Sequence, residues 1–194
     1  DKGWMACWNP VLFRIKDTIQ LYYKRGTSPL TWATYVMEST DEGQSWKEPR
    51  QIGQAGPVKN KPVMLPSGKI IAPSSNEIVR PGRSPTDATW VIQIFSSTDG
   101  HKWHDMMVQN DPSIPAIQPS VLIHDGKIQA IGRTKVGRMF STWSEDCKSW
   151  SKIGLIDVPN CNSGTDAISL SNDRHILVYN HSIDWYTRIP LGLA

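Results

Sequence analysis

One stretch appears three times in this chain and governs everything around it. Ser39-Thr40-Asp41-Glu42-Gly43-Gln44-Ser45-Trp46 returns, one residue shorter, as Ser97-Thr98-Asp99-Gly100-His101-Lys102-Trp103 and as Ser144-Glu145-Asp146-Cys147-Lys148-Ser149-Trp150. The shared skeleton is Ser-x-Asp, a turn, then Trp. Asp bonds nearby backbone N–H groups and Gly accepts positive φ, so each copy reads as a hairpin turn. The runs before them (Thr34 to Met37, Trp90 to Phe95, Arg138 to Ser141) read as strands. The aspartates recur about every 50 residues, the period of propeller blades. They are therefore expected to staple turns rather than to catalyse, with each Trp packed back onto its blade and largely buried.

The rest of the chain fits the same plan. Its 194 residues hold 14 Gly, 14 Pro and nine Trp, a composition for many short strands and turns. No long helical pattern occurs; apolar residues alternate or run in fours and fives. The fold class is all-β, a propeller of four-stranded antiparallel blades carrying these turns. The blades are expected at roughly 9–52, 62–110, 119–158 and 166–194. In the first, Trp46 to Ile52 reads as the fourth strand; in the second, Ser74 to Thr89 reads as a polar loop. The last blade lacks an Asp turn, so about three and a half blades are present. A ring takes about four to eight, and an open one leaves raw strand edges. A second chain or a further segment of the same protein is thus expected to complete it.

Charge and cysteines exclude several classes. A net charge of +3 without a Lys/Arg-rich run gives no case for nucleic acid. No apolar run approaches the roughly 20 residues that span a membrane. Cys7, Cys147 and Cys161 form no CxxC spacing; one pair could form, leaving one thiol over. His101 and His104 sit at an Asp turn, which speaks against a metal, and no cofactor is expected.

The Ser-x-Asp…Trp skeleton is the Asp-box, and the chain resembles the BNR/Asp-box, sialidase-like β-propeller family over essentially its whole length. That family is six-bladed and binds substrate on the face opposite the Asp-boxes. Strand counting identifies that face here: it carries the loops leading into each blade and those after each second strand. On it lie Lys59, Lys61, Glu77, Gln118, Arg133, Asp166, His181 and Arg188. Four basic groups against two carboxylates, with His181 neutral, suggest an anionic ligand, because guanidinium binds carboxylate bidentately.

The resemblance implies more, and the sequence departs from it in places. Sialidases hold the substrate carboxylate with three arginines. Arg133 matches the second, following Ile128-Gln129-Ala130-Ile131, and Arg188 the third. Phe13-Arg14-Ile15 is similar to the first, but Lys16 replaces the family's proline, so Arg14 reads as a false match. Where the family places a glutamate upstream of the second arginine, this chain has Ile117-Gln118-Pro119. The family's tyrosine nucleophile and aspartate acid/base would fall outside this sequence or have no match in it. Lys59-Asn60-Lys61-Pro62, Asn162 to Ala167 and Val178 to His181 are similar to stretches of one sialidase-like subgroup.

Two function classes follow. In the first the protein is a glycoside hydrolase acting on a terminal sialic or uronic sugar. Glu77 and Asp166 are then the carboxylate pair; Lys59, Lys61, Gln118, Arg133 and Arg188 bind substrate. His181 with Tyr179 is a second catalytic option, suited to β-elimination from a uronic acid, although Tyr179 alternates with Leu177 and equally reads as core. In the second class the protein is a non-catalytic sugar-binding propeller in which Trp8 and its neighbours stack on sugar rings. The partner in both is an acidic glycan. No signal peptide is visible, and a secreted or extracellular location is favoured.

Overall fold

A computed structural model describes residues 5–53, 57, 59–108 and 110–194. Its strands form four antiparallel sheets, each a blade of the propeller. Blade one contains β1 (Cys7–Ile15), β2 (Thr18–Arg25), β3 (Ala33–Ser39) and β4 (Arg50–Gly53). Blade two contains β5 (Val63–Met64), β6 (Ile70–Ile78), β7 (Thr89–Ser97) and β8 (His104–Met107). Blade three contains β9 (Ala116–His124), β10 (Lys127–Thr134), β11 (Arg138–Ser144) and β12 (Gly154–Pro159). The fourth sheet has β13 (Asp166–Ser169), β14 (His175–Asn180) and β15 (Leu191–Leu193). Strands pair in chain order within each sheet, the meander that short turns impose.

The three Asp-boxes are built alike. Asp41 takes the Ser45 N–H at 2.9 Å, Asp99 those of His101 and Lys102 at 2.8 and 2.9 Å, and Asp146 those of Lys148 and Ser149 at 2.7 and 2.8 Å. The Ser39 and Ser97 hydroxyls accept the N–H groups of Gly43 and Gly100, both at 2.8 Å. Hydrogen bonding is the leading cause that holds Asp41 and Asp99 down to about 2, and it lowers Asp146 too. Ser39, Ser97 and Ser144 pair with Ile19, Ile70 and Ile128, each near the start of its blade's second strand. All three boxes therefore leave the same end of their blades.

The box tryptophans depart from expectation. Trp46, Trp103 and Trp150 are half-buried, not largely buried. The reason is where they pack. Trp103, of blade two, lies on the Val11, Tyr22 and Val36 core of blade one, edge-on to Tyr22 at 5.9 Å. Trp150, of blade three, lies on a core that includes Ile71, Ile92 and Ile94 of blade two. Each bracket spans two blades and is covered by them only in part. A third core, with Leu122, Ile131 and Met139, meets Ala167 and Leu177 of the fourth sheet.

Several boundaries also differ. The segment read as a loop from Ser74 continues as strand to Ile78, so Glu77 sits in β6 opposite Trp90. Arg133 is likewise inside β10, opposite Ile117. Polar residues extend these strands because the backbone ladder, not side-chain polarity, sets their length. The fourth strand of blade one begins at Arg50 rather than Trp46, since the box turn keeps its tryptophan. Arg188 lies in the loop before β15, and Pro190 between them has no N–H to give a ladder.

Candidate functional site

The site is set by register. Glu77 and Arg133 stand at the ends of β6 and β10 remote from the Asp-boxes. The strands between run six residues or so, roughly 20 Å. Lys59 precedes β5, whereas Gln118, expected in a blade-entry loop, lies inside β9 and Asp166 opens β13, all at the same end of the blades.

Lys59 is the centre of the cluster. It adopts a left-handed φ of 64°, and its N–H reaches the Asn9 carbonyl at 3.3 Å. Its ammonium donates to Thr165 O at 2.5 Å and to Asn60 Oδ1 at 2.9 Å. Gly164 makes room for it: a Cβ there would meet Lys59 Cε at 2.9 Å. Burial lowers the Lys59 pKa to about 8, with Asp166 opposing and Arg133 and Lys61 adding to the shift. A partly desolvated cation of this kind favours an arriving anion.

Asp166 binds on three sides. Lys61 Nζ lies 2.6 Å from Oδ2; Oδ1 accepts from the Ser120 hydroxyl at 3.1 Å and the Ala167 N–H at 2.9 Å. Asn60, fully buried, donates to the Gln118 carbonyl and to Ser120 Oγ, each at 3.0 Å. Gln118 has a left-handed φ of 53°. Three successive blades are thereby laced together under Lys59 and Lys61.

Arg133 is half-buried. Nη1 donates to the Asn162 carbonyl at 2.6 Å, the guanidinium lies 5.4 Å from the Trp90 ring centroid, and Nε is buried without a partner. Its pKa is lowered, by burial first; Glu77 acts against the shift and Arg188 adds to it. Glu77, Arg188 and Lys59 are thus all within its electrostatic reach. Among the described residues neither Lys59 nor Arg133 forms an ion pair.

His181 follows β14 and pairs with Tyr179. Its Nδ1 is 2.6 Å from the Tyr179 hydroxyl, and its N–H reaches the Pro190 carbonyl. Tyr179 is 8% exposed, with its ring against Gly192. Asn180 ties this strand end to the Arg188 carbonyl. Sequence reasoning gave Trp90, Ser120 and Asn162 no role of their own. Trp90 and Ser120 look like ordinary strand residues; Asn162 acts through its carbonyl, which no side chain advertises. A cleft of about 420 Å³ opens beside Trp90 and Lys135 at this end of the blades. Another of about 820 Å³, with Trp143 and Trp150 in its wall, lies at the Asp-box end.

The chain matches the BNR repeat-like domain family over residues 2–194. It belongs to that family. Among solved structures, this BNR repeat-like chain is similar to the NanB sialidase of Streptococcus pneumoniae, with 20% identity, 78% of this chain and 24% of that chain covered, and a TM-score of 0.60. It is similar to an α-L-arabinofuranosidase of Fusarium graminearum in complex with an iminosugar inhibitor, with 15% identity, 92% and 54% coverage, and a TM-score of 0.68. A β-fructofuranosidase of Bombyx mori shares 15% identity over 91% of this chain and 41% of that one, with a TM-score of 0.59. These likenesses establish the propeller fold. The chain spans about a quarter of the sialidase and about half of the arabinofuranosidase. A search of curated proteins by sequence returns no match.

Proposed function

We propose that this BNR repeat-like chain is part of a carbohydrate-active propeller that hydrolyses a glycoside at an acidic terminal sugar, sialic or uronic. The observation that carries the reading is the pair Lys59 and Arg133: two half-buried cations, on one face, with no carboxylate bonded to either among the described residues. Arg133 already rests on a carbonyl and on Trp90, so its fork is oriented before a ligand arrives, and bidentate capture of a carboxylate follows. Arg188 adds charge from the β14–β15 loop. Lys61 and Gln118 line the approach from blades two and three.

Glu77, beside Arg133, is the candidate acid, giving its proton to the leaving oxygen. Asp166, ion-paired with Lys61, is the candidate base or nucleophile. The hydrogen-bonded Tyr179–His181 pair is the alternative proton-transfer unit, for β-elimination from a uronic acid. A second reading, a non-catalytic sugar binder, is favoured by Gln118 standing where the family has a glutamate and by the full set of bonds on Asp166.

The test measures affinity for a carboxylated sugar and its neutral amide, with wild type and Arg133→Ala. Loss of about thirtyfold or more, confined to the carboxylate, is expected if the pair is buried. Equal losses would mean Arg133 only holds its loop; no loss would move the site elsewhere. Turnover on a panel of sialosides and uronic-acid glycosides separates hydrolase from binder.

A further inference from the structure

Beyond the cluster, blade one carries an aromatic surface that the acidic-sugar reading leaves unused. Trp8 and Trp32 stack, with ring centroids 5.4 Å apart and planes 28° from parallel. Trp8 is pinned: its Nε1–H donates to the Gly26 carbonyl at 3.0 Å. Gly26 fits only as glycine, because it has a φ of 147° and a Cβ there would lie 3.0 Å from the Trp32 ring. Yet Trp8 remains 42% exposed. With one face on Trp32 and the N–H spent, much of what remains in water is apolar ring. An indole held on one face and open on the other is a rigid apolar platform.

Its place gives it an occupant. Trp8 pairs with Lys24, whose side chain is buried, and sits at the β1 end that faces away from the Asp-box. The next residue, Asn9, turns through a left-handed φ of 48° and offers its carbonyl to the Lys59 N–H at 3.3 Å. The Trp8 backbone thus lies within about 10 Å of that of Lys59, on the same end of the blades. We infer that Trp8, backed by Trp32, is a platform for the second sugar of a glycan whose acidic sugar sits at Lys59 and Arg133. The chain then recognises an acidic oligosaccharide and not an acidic monosaccharide alone. This inference rests on the acidic-sugar reading. The apolar face of a pyranose, with its axial C–H bonds, matches the indole face, and the ring is already held, so little entropy is lost on stacking.

Two probe pairs test it: N-acetylneuraminic acid against sialyllactose, and glucuronic acid against a glucuronyl disaccharide. Affinities are measured by calorimetry for wild type, Trp8→Ala, Trp8→Phe and Arg133→Ala. Trp8→Ala should weaken the longer member of the binding pair about tenfold and leave the monosaccharide within about twofold, while Trp8→Phe retains most of the gain. Arg133→Ala should weaken both members. In wild type the Trp8 indole N–H resonance should shift with the longer ligand and not with the monosaccharide, a readout independent of how well Trp8→Ala folds. An unchanged affinity of Trp8→Ala for the longer ligand, an equal loss for both lengths, or a silent Trp8 resonance overturns the platform and leaves the acidic-sugar reading standing. Failure of wild type to bind any of the four overturns that reading, and the platform with it.

Discussion

The Tyr22 hydroxyl, in the second strand of blade one, lies 3.1 Å from the carbonyl of Gly100, in the Asp-box turn of blade two. Tyr22 is fully buried, and burial is the first cause raising its pKa. Gln20 Nε2 approaches the same carbonyl at 3.4 Å. The Asp-box turn is therefore a joint between blades as well as a hairpin. Its fit leaves no space: a Cβ on Gly100 would lie 2.2 Å from Ile15 Cδ1 and 2.9 Å from Gln20 Oε1, at a φ of 73°. In the third box Cys147 occupies the matching place, also left-handed at 61°, with its side chain inside the core it shares with blade two.

Gly100→Ala should accordingly destabilise the protein by about 2–4 kcal/mol, adding left-handed strain to overpacking. Tyr22→Phe should cost about 1 kcal/mol, the net worth of one hydrogen bond. Urea unfolding of the two variants checks both. A Gly100→Ala protein with wild-type stability would mean the boxes do not join the blades.

The tryptophan brackets give a graded series. Trp103→Ala and Trp150→Ala remove half-buried rings that bridge two blades and should cost about 2 kcal/mol each, less than a fully buried aromatic. Trp46 hydrogen-bonds within its own turn, to the Gly43 carbonyl at 3.1 Å, and Trp46→Ala should cost the least of the three. Thermal melts of the single variants test the ranking.

These same residues show what the sequence reveals and what it hides. The Asp-boxes were legible because Ser39, Asp41 and Gly43 satisfy one another within five residues, and turn chemistry is local. The strand order was legible for the same reason, since short turns such as Asp125-Gly126 force neighbours to pair. The burial of Trp103 was misread because its partner, Tyr22, lies in another blade. Glu77 and Arg133 lie at the end of the blades remote from the Asp-boxes, as expected, but in strands and not in loops, since polar strand ends carry no alternation to mark them. Lys59, Lys61 and Asp166 were legible as members of one face. That Asp166 would be bonded to Lys61, and Arg133 set over Trp90, depends on packing between blades that no local pattern encodes.

The boxes also set an acid limit. Asp41 and Asp99 are held at about 2 and Asp146 is lowered, chiefly by backbone and hydroxyl donors. An unfolded aspartate titrates near about 3.9. The unfolded chain therefore binds more protons in this window, and stability falls as pH drops from about 4 toward about 2. Melting temperature measured across that range should decline, and Asp99→Asn, less stable at neutral pH, should decline less steeply. Parallel curves for the two proteins would show that Asp99 does not contribute through its charge.

Lys59 sets the opposite limit for the ligand. Burial lowers its pKa to about 8, so the free protein loses this charge as pH rises through about 8. An anionic sugar holds Lys59 charged and raises its pKa on binding; affinity should then be full below about pH 7 and fall severalfold by about pH 9–10. Stability should move the other way. An unfolded lysine keeps its proton to about 10.4, so the unfolded chain binds more protons between about 8 and 10, and the folded state gains over that window. Lys24, also lowered to about 8 by burial, adds to the gain. Lys59→Arg stays charged throughout and should remove the fall in affinity with pH. Gly164→Ala reaches the same group by geometry: its Cβ would stand 2.9 Å from Lys59 Cε and 3.3 Å from Nζ. It should push the ammonium off Thr165 and weaken a carboxylated sugar, with no effect on its neutral amide. Calorimetric titrations of both ligands from pH 6 to 10 check these outcomes. A flat profile for wild type would remove Lys59 from the binding site while leaving Arg133 in place.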